Sequence, residues 1–339
     1  MYLLNETCSF KVSDPPGTYI YDLLPTSTGL ATISSDDTLR LLDPLTLTQI
    51  KEVKEQGRDY TCLKAVQAIQ NVGQINVVAI AGRDGGVSLV DVRTWMKVGS
   101  VQTEGKAPIL SLACTGSETG GVLAVGTELV NVARVGDQAS VLMWDMRNLG
   151  QAVVSYVESH SDDVTELQFH PLHPQILLSG STDGLLNIYN TTSPTEEDAL
   201  HQTINHGHSI HHAGFLNERE VFALSHDEKF SVYEQDDGRG EGGEPRHFGD
   251  LREGLGGEYV ADVVVRGGGS TVLGVGSHSQ ASFDLIQLKK TPPWTFAPET
   301  KNTLRGGHGS EIVRAFCFLD EHQTVLTAGE DGQVKAWRS

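Results

Sequence analysis

The chain has 339 residues, with 25 Lys/Arg against 44 Asp/Glu and a formal net charge of −19. That balance argues against direct nucleic-acid binding, which requires neutralising phosphates, and favours a basic protein partner. Mean hydropathy is −0.21, and no apolar run approaches the ~18 residues of a membrane-spanning helix. The opening Met1-Tyr-Leu-Leu-Asn-Glu lacks the basic region and apolar core of a signal peptide. Cys8, Cys62, Cys114 and Cys317 are far apart and form no C-x-x-C pair, so neither a disulfide framework nor a Cys-based zinc site is expected. The expected setting is reducing, cytoplasmic and/or nuclear, where the sequons at Asn5 and Asn190 are chance matches. The length suits one large all-β domain, 1–339, with a core that needs no metal or disulfide staples.

In chain order, Tyr2–Val12 is strand-compatible. Leu30–Asp43 then pairs two apolar strands around Ser-Ser-Asp-Asp. Val77–Asp91 repeats the pattern around Gly-Arg-Asp-Gly. Val122–Gly126 and Val141–Asp145 are the same two strands split by a longer insert. The clearest unit follows: His160-Ser-Asp-Asp-Val-Thr-Glu-Leu-Gln-Phe-His-Pro, then Ile176–Asn190 around Ser-Thr-Asp-Gly. Val221–Tyr233 is a fifth copy, and Thr271–Gly276 with Phe283–Leu288 a divergent sixth. Gly307-His308, Ile312–Phe318 and Val325–Trp337 close the series. His160 and His308 are 148 residues apart, three steps of about 49, near the spacing of propeller blades. Short apolar strands separated by Gly/Asp/Asn turns, with no helix-length periodic run, predict four-stranded units stacked radially. One such unit cannot bury both faces alone, so its neighbours must cover it.

These units resemble the WD40 repeat family over nearly the whole chain. The Trp-Asp pair that names the family is intact at Trp144-Asp145. Asn205-His-Gly-His-Ser-Ile-His-His-Ala-Gly-Phe and Ala223-Leu-Ser-His-Asp-Glu are similar to segments of the WD repeat-containing protein 89 subgroup. The resemblance implies an all-β, seven-bladed propeller, with residues 2–12 supplying the outer strand of the last blade. It also implies a buried hydrogen-bonded network of His160, Ser179, Asp183 and Tyr189, with Tyr189 where Trp is usual. The last blade's counterpart is His308, Thr327, Asp331 and Trp337. Their His-Ser-Asp composition imitates a hydrolase triad, but recurrence at the blade period favours the structural role.

Gly238–Gly243 fits G-x-G-x-x-G, but its acidic flanks and the following Pro245 favour a flexible inter-blade loop over 235–256. His201, His206, His208, His211 and His212 could present two rings on one strand face, yet no Cys or carboxylate partner is placed by spacing, so no metal and no cofactor are assigned. Acidic groups cluster at 35–37, 158–166, 196–198 and 234–244. Asp36, Asp37, Asp162 and Asp163 are expected on one rim with Tyr19, Arg83 and Arg314 as anchoring contacts. No serine-hydrolase elbow, P-loop, H-E-x-x-H or EF-hand loop occurs, so no enzyme activity is assigned.

The expected function is a monomeric, non-catalytic scaffold: an acidic platform for a basic protein of the histone or ribosomal-protein class, in chaperone, chromatin or ribosome-biogenesis work. The alternative rests on Val90-Asp-Val-Arg93 and Trp144-Asp-Met-Arg147, which resemble the motif of WD40 substrate receptors of cullin–RING ubiquitin ligases. There Arg93 and Arg147 would face the ligase adaptor.

Overall fold

The computed structural model describes residues 2–12, 17–66, 75–117, 120–133, 135–193, 195–236, 243–267, 269–291 and 293–339. The chain forms two compact units, residues 1–63 with 250–339, and residues 64–249. Both are built mainly of four-stranded antiparallel arrays whose strands follow one another in sequence, and in the first unit two such arrays are joined through the N-terminal strand.

In the first unit, Ile20–Thr26, Gly29–Ser34, Thr38–Leu42 and Gln49–Lys54 form one four-stranded sheet. An eight-stranded sheet joins Tyr259–Val265, Thr271–Ser277, Ser282–Lys290 and Trp294–Arg305 to the strands Val313–Leu319, Thr324–Gly329 and Gln333–Arg338. The joint is the N-terminal strand, Tyr2–Lys11. Its second half runs antiparallel to the last strand, from Asn5 opposite Arg338 to Lys11 opposite Gln333, as the sequence predicts. Its first half also pairs in parallel with Asn302–Leu304, which the repeat pattern does not reveal. One strand thus satisfies backbone groups on two edges that would otherwise be open.

In the second unit, Val77–Gly82, Gly86–Asp91 and Met96–Gln102 pair in order, and Tyr60–Val66 spans the unit boundary. Ile109–Ser117, Gly120–Thr127, Val141–Asp145 and Val154–Tyr156 form the next sheet. The insert anticipated within it is a two-stranded ribbon, Val130–Val132 with Gly136–Gln138. Val164–Phe169, Ile176–Ser181, Leu185–Asn190 and Leu200–Asn205 follow, then Ile210–Phe215, Glu220–Ser225, Lys229–Glu234 and Arg246–Asp250.

That last strand corrects an expectation. Residues 235–256 are not one loop: Arg246–Asp250 completes a sheet, and Leu251–Leu255 is a short helix capped by the Asp250 carboxylate. Leu251 and Leu255 are buried, so the segment carries its own anchors. Most of the glycine motif at 238–243 lies outside the described residues.

Two irregularities recur with the repeat. First strands carry a bulge near their start, at Ile20/Asp22, Ile109/Ser111, Val164/Glu166, Ile210/His212, Val260/Asp262 and Val313/Ala315. Outer strands carry another, where Ile50, Val98 and His201 are the extra residues. A bulge adds twist and unpairs one residue, which discourages edge-to-edge pairing with another chain. The turns between the middle strands need a left-handed residue. Gly184 and Gly332 provide it, while Asp37 and Glu228 adopt it without that freedom.

Each unit has its own buried core. In the first, Ile20, Leu30 and Leu42 pack with Leu326, Val334 and Ala336. In the second, Tyr156, Val164, Leu167, Leu177 and Tyr189 form one cluster, and Leu186, Ile210, Val221 and Tyr233 belong to another.

Deleting residues 2–11 should lower unfolding free energy by more than ~3 kcal/mol, because backbone bonds worth ~1 kcal/mol each are lost along two edges. Denaturant melts of the full and shortened chains would show this; a change within ~0.5 kcal/mol would contradict it.

Candidate functional site: buried histidine networks and a polarised surface

The histidine ahead of a first strand is drawn into a polar chain inside its sheet. His160 Nδ1 lies 3.0 Å from Asp183 Oδ2, and Nε2 lies 2.6 Å from Ser179 Oγ. Ser179 Oγ is 3.4 Å from the Tyr189 hydroxyl, which is itself 2.7 Å from Ser159 Oγ. In the last sheet His308 Nδ1 is 2.7 Å from Asp331 and Nε2 is 2.8 Å from Thr327 Oγ1. Trp337 Nε1 donates to the same Thr327 oxygen at 2.8 Å. The Asp331 carboxylate only accepts, so Nδ1–H points at it, and in the neutral ring Nε2 is then left to take the Thr327 proton while Thr327 Oγ1 accepts from the indole. The chain therefore runs one way, from Trp337 to Asp331.

Ser179 and Thr327 are fully buried. A hydroxyl sealed from solvent cannot meet a substrate, so these groups hold structure. Burial opposes ionisation of Asp183, but the bonded His160 outweighs it and keeps the carboxyl below its ordinary range.

Several members escaped sequence reasoning. Asn187 Nδ2 donates to the Ser159 carbonyl at 2.8 Å, and Lys335 Nζ donates to the Gly307 carbonyl at 2.8 Å. Both sit two residues before the ring, at Tyr189 or Trp337, and bond the residue just before the histidine. That shared offset is a signal, but two different side chains serve it. Glu196 is another: its carboxylate accepts the backbone N–H groups of Val157 at 2.7 Å, Glu158 at 3.0 Å and Ser159 at 2.8 Å. Buried His170 takes N–H bonds from Leu172 and His173 on Nδ1 and packs edge-on against Phe215.

Elsewhere the network is rebuilt. Ala223 occupies the strand position that Ser179 holds in the preceding sheet, and His206 Nδ1 pairs instead with the Tyr233 hydroxyl at 2.9 Å. Burial pushes His206 down to about 4, so its ring is neutral at pH 7. Asp36, expected on a binding rim, is instead turned inward. Its side chain is 2% exposed and pairs with buried Arg40 at 2.5 Å. Burial raises its pKa, but Arg40 and Ser34 together bring it down to about 2. An acid already neutralised in the interior cannot serve as a contact.

The other rim candidates vary. Asp37 caps a turn through the N–H groups of Gly57 and Asp59. Asp163 accepts from the Leu129 N–H at 2.7 Å, and Asp162 from the Asp163 N–H at 2.9 Å. Arg83 pairs with Glu128, and Arg314 Nε donates to Glu330 at 2.8 Å. Tyr19 is exposed and anchored through its backbone to Ser35. The histidines fall into small groups: His208 lies 3.3 Å from Asp227 with its ring 5.8 Å from that of His206, His212 lies 3.2 Å from Glu166, and the tilted ring of His211 is 4.1 Å from His212 and 4.8 Å from His226. His201 sits 3.2 Å from the Asp236 carbonyl. Among the described residues no group of three or more His, Cys, Asp or Glu is arranged to hold a metal.

Charge is strongly polarised along the second unit. Residues 148–218 contain nine Asp/Glu and no Lys or Arg, and residues 148–249 carry −13 of the net −19. Glu158, Glu197, Asp198 and Glu218 are exposed within it. By contrast, Arg93 and Arg147 are held outward by their own motif aspartates. Arg93 reaches Asp91 through Nε at 3.1 Å and a terminal nitrogen at 2.6 Å. Arg147 reaches Asp145 at 2.9 and 2.5 Å. These forks bring both aspartates down to about 2, while the arginine side chains stay 58% and 68% exposed. Arg252 grips Asp250 the same way, an instance the sequence reading passed over.

Small four-stranded sheets with recurring His–hydroxyl–ring–Asp chains define a β-propeller of the WD40 type. A family model described as WD domain, G-beta repeat matches residues 151–190 and 299–338, the two sheets with the complete networks. An uncharacterised WD repeat-containing protein of Saccharomyces cerevisiae is 35% identical over 319 residues, covering 92% of this chain and 76% of the relative. A second uncharacterised one, from Schizosaccharomyces pombe, is 29% identical over 354 residues, covering 99% and 100%. The WD repeat-containing protein 89 homolog of Dictyostelium discoideum is 24% identical over 249 residues, covering 72% and 62%. The chain belongs to the WD repeat family.

Thr327→Val should cost about 2–4 kcal/mol, because it strands both His308 Nε2 and Trp337 Nε1 in the interior. Equilibrium unfolding measures it; a loss below ~0.5 kcal/mol would show that the network contributes little.

Proposed function

We propose that this protein is a non-catalytic interaction scaffold, a single seven-bladed domain over 1–339, whose acidic surface receives a basic protein or basic tail of the histone or ribosomal-protein class. The carrying observation is the concentration of negative charge in residues 148–249. Within it, residues 148–218 have no Lys or Arg of their own to screen the carboxylates. Such a surface raises encounter rates with a cationic partner and repels acidic ones. Work as an assembly chaperone, or in chromatin or ribosome biogenesis, follows from that partner class. Affinity purification at low and high salt, with the bound proteins identified by mass spectrometry, tests it. The triple substitution Glu158→Lys, Glu197→Lys and Glu218→Lys should weaken capture of the basic partner at least about tenfold while leaving the melting curve unchanged. Binding indifferent to both salt and charge reversal would sink the electrostatic reading.

A second reading is favoured by the two aspartate-clamped arginines. A guanidinium fixed in direction but still exposed loses little entropy on docking, which suits an anchoring contact. In this reading the chain is a substrate receptor of a cullin–RING ubiquitin ligase, with Arg93 and Arg147 on the adaptor. Combining Arg93→Asp with Arg147→Asp should abolish co-purification of ligase subunits without unfolding the protein; retained subunits would exclude it.

A further inference from the structure

The connection between Leu185–Asn190 and Leu200–Asn205 carries the helix Glu196–Ala199, and Thr195 caps it. The Thr195 hydroxyl oxygen accepts from the Asp198 N–H at 3.3 Å, and the hydroxyl donates to the Asp198 carboxylate at 2.7 Å. Thr195 is exposed, as are Glu197 and Asp198. No other Ser or Thr in the chain is followed directly by three acidic residues. Behind this surface the helix is tied to the interior. Ala199 is fully buried beside Tyr156 and Tyr189, whose rings stack 4.9 Å apart. Glu196 holds the N–H groups of Val157, Glu158 and Ser159, the three residues just before His160.

We propose that Thr195 is a phosphorylation site for an acidophilic serine/threonine kinase, and that its modification loosens the segment preceding His160. A kinase whose substrate groove is basic reads carboxylates at the three following positions, and Thr195 offers all three on an exposed turn. The kinase transfers the γ-phosphoryl group of ATP to Thr195 Oγ1. A new O–P bond forms, the bond from the γ-phosphorus to the ADP oxygen breaks, and the hydroxyl proton leaves to a base on the kinase. Thr195 Oγ1, now an ester oxygen without a proton, can no longer donate to Asp198. Close to two negative charges then stand beside Glu196, Glu197 and Asp198. Like-charge repulsion in so short a helix outweighs any benefit at its N-terminus, because the helix's own first turn is already acidic. The helix opens, and Glu196 withdraws from the backbone of 157–159.

The test uses the full chain, a purified acidophilic kinase of the casein-kinase class and ATP. Mass spectrometry should place phosphate on Thr195, and Thr195→Ala should abolish its incorporation. Amide hydrogen exchange at Val157–Ser159 should then accelerate at least about tenfold in the phosphorylated protein. Glu196→Gln should raise exchange at the same amides with no phosphate present. Phosphate on Ser193 or elsewhere with Thr195 untouched overturns the site. Unchanged exchange, either after phosphorylation of Thr195 or in Glu196→Gln, overturns the coupling.

Discussion

The arrangement depends on one buried device: a histidine bonded on one nitrogen to a hydroxyl and on the other to a carboxylate, with an aromatic ring closing the chain. A four-stranded sheet of short strands has little side-chain volume to fix the turn that enters it. The His160 and His308 chains do this by bonding across three segments of the repeat. Polar groups are costly in the interior unless every partner is present, so each chain is satisfied as a set. A Ser-His-Asp constellation here is therefore composed like a hydrolase triad but closed to solvent. Its hydroxyl is sealed, and both nitrogens of its imidazole are already engaged.

Where the set is incomplete, the chain substitutes other chemistry. Arg40 neutralises Asp36 where no histidine reaches it. Tyr233 supplies His206 with a partner where Ala223 removes the usual hydroxyl. Asn187 and Lys335 perform one bonding role with unrelated side chains. The repeat therefore preserves a geometry while its residues drift, which is how weak copies persist between the two strong ones.

The surface follows a different logic. Carboxylates from 148 to 218 have no lysine or arginine among them in sequence, yet several apparent surface acids already hold partners. Glu196 and Asp163 bind backbone N–H groups, and Asp36 is interior. The acids left to solvent, such as Glu158, Glu197, Asp198 and Glu218, are those that set the field a partner meets. The clamped arginines show the opposite arrangement, cations given direction by their own neighbours.

The strand units and their turns were legible in the sequence, because a period near 49 residues and the Asp-Gly turn chemistry are local properties, and the WD40 resemblance implied the His160 and His308 chains without Asn187 or Lys335. It also placed the N-terminal strand beside the last one, since a unit three strands long needs a fourth. Tertiary structure decided what pattern cannot encode. The parallel joint of Tyr2–Leu4 with Asn302–Leu304 depends on where two sheet edges meet. The strand and helix within 246–255 have too few residues to show a period. The inward turn of Asp36, the grip of Glu196 on 157–159 and the pairing of His212 with Glu166 are set by side-chain contacts that a strand pattern does not specify. Charge can be counted from a sequence; whether it faces water or a buried partner is settled only when distant segments come together.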